Sequence, residues 1–375
     1  MTVKQEINWR PTSFWAGPVR RTKDIYMSNN RTKYHFIINP VSGKGKGPEN
    51  FRHKLENYRK HDDRDIILHT TNGALDALDT AAAITRECVE TNTTAVIFAC
   101  GGDGTLNEVA NGIADFYYDN TGSISNIQPG QADSEGAGRG KSVALGLVPV
   151  GSGNDFARYF DRTGDFTDID KLLKGYVTST DLLRLTWDEM DESEGKVVYR
   201  HRYCINGMNL GLDGNTAILA GELRKYPVIR GSMSYILALG INTAGMNGAD
   251  VDIIADGEAF YSGKLLLSTV SNGRFCGGGV ESCPKAKIDD GLAEVLVIPQ
   301  VRRRTLFRLF PDYKNGKLMD RKDFDSLAKY RRAEKITLIP RKGYMEFVAD
   351  GEILKTGKLD IEVMPGMIPL FLPSK

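Results

Sequence analysis

The apolar run Ala95-Val96-Ile97-Phe98 leads into Gly101-Gly102-Asp103-Gly104-Thr105-Leu106-Asn107-Glu108, beyond which the chain has helical character. A strand that breaks into glycines immediately before a helix leaves few folds open. The glycines let backbone approach a ligand closely, and the helix start aims N–H groups and a positive dipole end at an anion. Two further units have the same form. Phe36-Ile37-Ile38 runs into Asn39-Pro40-Val41-Ser42-Gly43-Lys44-Gly45, and Gly146-Leu147-Val148-Pro149-Val150 runs into Gly151-Ser152-Gly153-Asn154-Asp155. Strand candidates at 34–39, 65–69, 95–99 and 143–149 alternate with helical stretches such as 73–91, the pattern of a parallel α/β sheet. Such a sheet gathers its loops at the carboxyl ends of the strands, so all three are expected along one edge around one ligand.

The loop carboxylates narrow the ligand. Asp103 and Glu108 would repel a phosphate unless a divalent cation lay between them, so the spacing points to a metal–nucleotide site with Asp103 organising magnesium. The plainer alternative is an aspartate capping the helix behind it. Commoner nucleotide motifs are absent. Gly140-Lys141-Ser142 resembles the end of a P-loop, but Glu135 stands where its first glycine belongs, and a strand follows instead of preceding. Gly151-x-Gly153-x-x-Phe156 and Gly102-x-Gly104-x-x-Asn107 both lack the third glycine of a dinucleotide fingerprint.

From about residue 175 the pattern becomes β-rich, with strand candidates at 182–187, 197–206, 251–254, 264–271, 293–298, 335–339 and 345–348, as expected of a second, mostly antiparallel domain. The division reads as an N-terminal extension over 1–33, a nucleotide-binding α/β domain over 34–174 and a β-rich domain over 175–356. Residues 117–141, rich in Gly, Ser, Asn and Gln, read as a mobile insert in the first domain. With 375 residues and 41% hydrophobic content the chain can bury two cores. A net charge of +1 argues against a globally electrostatic nucleic-acid binder. Five cysteines without a CxxC pair suit free thiols in a reducing cytoplasm, and scattered histidines give no zinc pattern. No apolar run approaches the ~20 residues of a membrane span.

The ordered blocks Asn39-Pro40-x-Ser42-Gly43, Gly101-Gly102-Asp103-Gly104-Thr105-x-Asn107-Glu108 and Gly151-Ser152-Gly153-Asn154-Asp155 resemble the diacylglycerol-kinase catalytic family, which includes bacterial lipid kinases and the sphingosine and ceramide kinases. The resemblance continues through Asn272-Gly273, Gly277-Gly278-Gly279, Pro284-x-Ala286-x-x-Asp289-Asp290-Gly291-Leu292 and Asp350-Gly351-Glu352. Ser152 replaces a frequent threonine and keeps the hydroxyl. The resemblance implies a β-sandwich-like second domain that carries the lipid, with residues 357–375 returning to the first. It implies Mg–ATP bound by Asn39, Pro40, Ser42, Gly43, Gly101, Gly102, Gly104, Thr105, Asn107, Glu108, Gly151, Ser152, Asn154 and Asp155, with Thr70 a further hydroxyl contact. The activity implied is phosphoryl transfer to a lipid hydroxyl, most naturally diacylglycerol giving phosphatidic acid in phospholipid biosynthesis.

Glu352 matches the family's proton acceptor and Asp350 its partner, with Asp103 beside the phosphates. The same tetrapeptide, Ala-Asp-Gly-Glu, also occurs at 255–258, and Asp-Gly is a strong hairpin signal in either copy. Only the later copy follows the Asp289-Asp290-Gly291 block, so Asp256 and Glu258 are assigned to a plain hairpin. Asp290 matches a structural magnesium position, helped by the carbonyls of Lys287 and Leu292, although an ion-free Asp-Gly turn explains it equally well. Asp213 lies where relatives approach the lipid head group. An NAD kinase shares the Gly-Gly-Asp-Gly-Thr loop but not the Gly-Ser-Gly-Asn-Asp block, and a catalytically silent binding protein is a third reading. Arg302-Arg303-Arg304-Thr305-Leu306-Phe307-Arg308-Leu309-Phe310, with Lys329, Arg331 and Arg332, reads either as a solvated helix face or as peripheral membrane contact. The expected partner is a membrane lipid at the inner face of the membrane, not nucleic acid, and a homodimer is compatible with the chain.

Overall fold

Two registers of side chains alternate along the first strands, and each register packs against different helices. The computed structural model describes residues 32–118, 142–191, 196–211 and 248–375. Strands β1 (Lys33–Ile38), β2 (Ile66–Thr70), β3 (Ala95–Gly101) and β4 (Val143–Pro149) lie parallel in the order β2-β1-β3-β4. Phe36, Ile38, Val96 and Phe98 face Phe51 and Leu55 of helix α1 (Lys46–Arg59). Ile37, Ile97 and Ala99 face the other way, onto Ala81 and Ile84 of α2 (Asp76–Glu90) and Val109 and Ile113 of α3 (Asp103–Tyr118). A strand covered on both faces must be apolar at every position, and all of β3 is buried. The short helix α4 (Ile169–Leu173) adds its buried Ile169 and Leu172 on the α1 side.

The remaining strands are mainly antiparallel: β5 (Tyr176–Asp191), β6 (Lys196–Cys204), β7 (Gly207–Gly211), β8 (Ala249–Ala255), β9 (Glu258–Ser271), β10 (Ala293–Pro299), β11 (Lys329–Ala333), β12 (Lys335–Pro340), β13 (Met345–Ala349), β14 (Glu352–Thr356) and β15 (Leu359–Leu372). They enclose a separate core that includes Leu185, Met208, Leu210, Ile253, Leu265, Val270, Val295, Ile336 and Phe347, giving a sandwich-like body. Helices α5 (Arg303–Lys314) and α6 (Phe324–Leu327) lie between β10 and β11.

The last strand joins the halves. β15 runs antiparallel to β5, pairs with β12 through residues 359–362, and meets β4 in parallel at Leu370 opposite Leu145. Its Ile361 and Val363 enter the second core while Ile368 and Leu370 enter the first. Three strands, β7, β11 and β14, have no counterpart among the sequence expectations. Lys-Tyr-Arg-Arg-Ala and Glu-Ile-Leu-Lys-Thr are too polar to register as strands, and β10 and β13 supply the pairing that makes them so. The insert lies outside the described residues over 119–141.

Inside the parallel sheet, His35 Nδ1 and His69 Nε2 lie 3.0 Å apart with stacked rings. His35 is 3% exposed, and burial, then His69, lower its pKa to about 4. A histidine depressed in the folded state stabilises it above its unfolded value near 6.5, and that contribution is lost as pH falls toward 4. Stability should therefore drop by roughly 2 kcal/mol between pH 8 and pH 5 through this residue alone. Urea unfolding of wild type and His35→Gln at both pH values should show a larger drop in wild type, by about that amount, since His69 and other groups still titrate in the variant; parallel pH dependence in the two would refute it.

Candidate active site

Gly43 and Gly151 show how the three loops come together. Gly43 has φ +54°, and a Cβ there would stand 2.3 Å from the Val150 carbonyl oxygen. A Cβ on Gly151 would stand 2.3 Å from Gly102 Cα, so neither position admits a side chain without backbone displacement. Hydrogen bonds fix the same assembly. Asn39 Nδ2 donates to Thr105 Oγ1 at 3.0 Å, and the Val150 and Gly151 N–H groups both donate to the Gly101 carbonyl at 3.0 Å. Asn154, itself at φ +56°, donates to the carbonyls of Pro149 and Gly151. The loops thus form one cradle at the carboxyl ends of β1, β3 and β4, with exposed Gly104 at the start of α3 and exposed Pro40, Gly43 and Ser152 on its rim. Thr70 is exposed at the end of β2, opposite Ile38 in register.

Asp103 and Asp155 sit within this cradle. Asp103 Oδ1 accepts the Phe156 N–H at 3.2 Å, while burial, then Asp155, push its pKa up to about 6. Asp155 Oδ2 accepts the Gly278 N–H at 2.8 Å, tying the triple-glycine segment to the third loop. Its Oδ1 has no hydrogen bond and only the Arg158 guanidinium 3.6 Å away, and burial raises its pKa too. Two desolvated carboxylates with spare oxygen lone pairs suit a hard cation. Among the described residues no group of three or more His, Cys, Asp or Glu side chains could hold a metal. A magnesium ion here would draw its other ligands from phosphate and water, the usual habit of that ion.

Asp350-Gly351 forms the two-residue turn between β13 and β14, with Ala349 opposite Glu352. The Asp350 carboxylate accepts the N–H groups of Ile205 (2.7 Å), Asn206 (3.2 Å) and Gly207 (3.0 Å). Asn107, oriented so that its amide nitrogen faces acceptors, adds donors to Asp350 Oδ2 and to the Tyr203 carbonyl, each at 3.0 Å. Asn111 exchanges two bonds with the Tyr203 backbone. Asn107 is thereby engaged by the second half of the molecule, and Asp350 anchors the turn instead of facing a ligand. Glu352, next along, is half-buried and forms an ion pair with Arg202 of β6. Burial raises its pKa; Arg202 opposes this, while Glu108 on α3 and Asp350 reinforce it.

The other tetrapeptide copy makes the same turn in a different setting. Ala255 lies opposite Glu258, Asp256 Oδ1 accepts the Glu334 and Lys335 N–H groups at 2.9 Å, and exposed Glu258 pairs with Arg331. Asp290 has an Arg332 guanidinium on one oxygen and the Leu292 N–H on the other, and Arg332 continues to Glu294 at 3.0 Å. With a guanidinium already neutralising Asp290, this turn with Lys287 and Leu292 does not fit a structural magnesium. Asp213 lies outside the described residues. Arg202, Asn111 and Arg158 escaped sequence reasoning, since each matters only through a partner 92 or more residues away or through backbone it happens to meet.

Comparison with known proteins bears on the whole arrangement. A family profile described as "Diacylglycerol kinase catalytic domain" matches residues 33–185, and one described as "YegS C-terminal NAD kinase beta sandwich-like domain" matches residues 208–372. A "Probable lipid kinase YegS-like" of Pectobacterium atrosepticum is 29% identical over 74% of this chain and 78% of its own length. A "Diacylglycerol kinase" of Staphylococcus saprophyticus is 27% identical over 72% and 73%. The crystal structure of a diacylglycerol kinase from Bacillus anthracis superposes with TM-score 0.60 over 92% of this chain and 98% of that one at 19% identity, a likeness of fold. With both halves matched in order, the chain belongs to the diacylglycerol-kinase catalytic family and is a lipid kinase.

Proposed function

We propose that this lipid kinase transfers the terminal phosphate of Mg–ATP to the free hydroxyl of diacylglycerol, giving phosphatidic acid and ADP. The observation that carries the reading is the position of Glu352: a half-buried carboxylate whose pKa is raised, electrostatically coupled to Glu108 on the helix that begins at the glycine cradle. ATP follows from the family; the magnesium ion and the acceptor are this reading's own.

In this reading the backbone N–H groups of the cradle and the start of α3 hold the phosphates. Magnesium, when bound with the nucleotide, neutralises charge on the terminal phosphates, and Asp103 and Asp155 are the residues that would hold it. The lipid hydroxyl oxygen attacks the terminal phosphorus while the bond to the bridging oxygen of ADP breaks. Glu352 accepts the hydroxyl proton as the new O–P bond forms, and its raised pKa brings it nearer the operating pH of a general base. Asp350 serves by holding the turn.

Terminally labelled ATP incubated with the protein, magnesium, and either diacylglycerol in detergent micelles or NAD tests the reading. Label is expected in phosphatidic acid and to vanish with chelator. Label in NAD and none in lipid would replace the reading with a dinucleotide kinase, and label in neither would remove diacylglycerol as the acceptor.

A further inference from the structure

Helix α5 presents an outward stripe that the core does not explain. Its inner side is ordinary: Leu306, Leu309 and Tyr313 are buried against Cys276, Val280, Cys283 and Ala286. At helical spacing on the other side stand Arg303, Arg304, Phe307, Arg308, Pro311 and Lys314, all exposed. Phe307 is 68% exposed. The stripe contains no acidic residue, because the helix's single carboxylate, Asp312, is turned to Arg321 at 2.6 Å. No described carboxylate forms an ion pair with Arg304, Arg308 or Lys314, whereas most other arginines of the second half are paired, Arg331 to Glu258 and Arg332 to Asp290 among them.

The stripe is also tied to the cradle. The Lys314 carbonyl accepts the Glu281 N–H at 3.0 Å, and a few residues earlier Gly278 N–H reaches Asp155. The same segment that packs on α5 therefore touches the third loop.

We infer that the outer face of α5 docks the protein on an anionic phospholipid surface, with Phe307 entering the headgroup boundary and Arg304, Arg308 and Lys314 lying over lipid phosphates. The charge complementarity names the occupant: Arg304, Arg308 and Lys314 around one exposed aromatic ring suit a bilayer interface, and no described carboxylate lies in ion-pair contact with these three, Asp323 acting on Arg308 only at longer range. The inference rests on the lipid-kinase reading only for its usefulness, since an enzyme with a bilayer-borne acceptor must bring its cleft to the surface. Its physical basis is independent of catalysis.

Co-sedimentation of the full chain with vesicles of phosphatidylcholine alone, and of phosphatidylcholine mixed with phosphatidylglycerol, without nucleotide, tests it. Wild type should bind the anionic vesicles and release in high salt. Arg304→Gln/Arg308→Gln should weaken that binding by roughly 10–30-fold, at about fivefold per cation, and Phe307→Ser by roughly fivefold. A charge-matched control on α1 and the residue that follows it, Lys54→Gln/Lys60→Gln, should bind as wild type. No wild-type binding, unchanged binding in the α5 variants, or equal loss in the control would each overturn the inference. Folding is checked by phosphoryl transfer to micellar diacylglycerol, where α5 variants should match wild type. If no protein labels lipid but vesicle binding follows the pattern above, the kinase reading falls and the docking surface stands.

Discussion

Glu352→Gln is expected to lower kcat for lipid phosphorylation by ~10²–10⁴-fold, the usual loss when a general base is removed, with little change in stability. Glu258→Gln, in the identical Asp-Gly-Glu context, should leave kcat within about twofold, because Glu258 is exposed and pairs only with Arg331. Steady-state kinetics on both variants decides the matter; equal effects, or an active Glu352→Gln, would remove Glu352 from the chemistry. The pH profile adds a second axis. Burial raises the Glu352 pKa, so the acidic limb of kcat should lie above the ordinary glutamate range near 4.3. The residue acts ionised, so activity is retained above that limb and lost below it. Arg202 opposes the upward shift, and Glu108 and Asp350 add to it. Arg202→Gln should therefore move the limb to higher pH, lowering kcat more at pH 6 than at pH 8. A purely structural contribution from Arg202 would lower kcat equally at both.

Asp350→Ala should cost about 3–5 kcal/mol of stability. It leaves the N–H groups of Ile205, Asn206 and Gly207 and the Asn107 amide without their acceptor, all within a buried turn. Asp256→Ala should cost about 1 kcal/mol, since the Glu334 and Lys335 N–H groups it releases lie near solvent. Urea unfolding of the two variants gives the comparison directly, and similar losses would show that the Asp350 nest is not the stronger anchor. Asp350→Asn, which keeps one acceptor oxygen, should fall between wild type and Asp350→Ala. Whatever its stability, Asp350→Ala should also lose activity, because Glu352 sits two residues along the unmoored turn.

Residues 95–108 illustrate how much of this site is written locally. The apolar run, the glycines and the helix start are contiguous, and strand, turn and helix are each set by interactions within a few residues. The same holds for the loops after β1 and β4, so the cradle was legible before any contact was known. The strands β11 and β14 were not legible, because their charged residues become strand only when β10 and β13 present unpaired edges. The motifs alone mark Asn107 and Asn154 as nucleotide ligands. Their amides meet Asp350 and the backbone of Pro149 and Gly151, contacts that close within the protein.

The two Ala-Asp-Gly-Glu copies separate what each level decides. Both make a two-residue turn on local grounds, because Asp and Gly accept the positive φ such a turn requires: Asp256 and Asp350 have φ +50° and +45°. Hydrophobic period and glycine placement are equally local, and they suffice for a parallel sheet bearing three loops on one edge. Long-range packing encloses Asp350 in the β6–β7 turn and leaves Asp256 near solvent. The same packing brings Arg202 and Glu108, from distant segments, to Glu352. The physical reason is range. Turn geometry is fixed by short-range sterics that any copy of the tetrapeptide carries with it, whereas burial, pKa and ion pairing depend on which other elements the packed cores bring alongside.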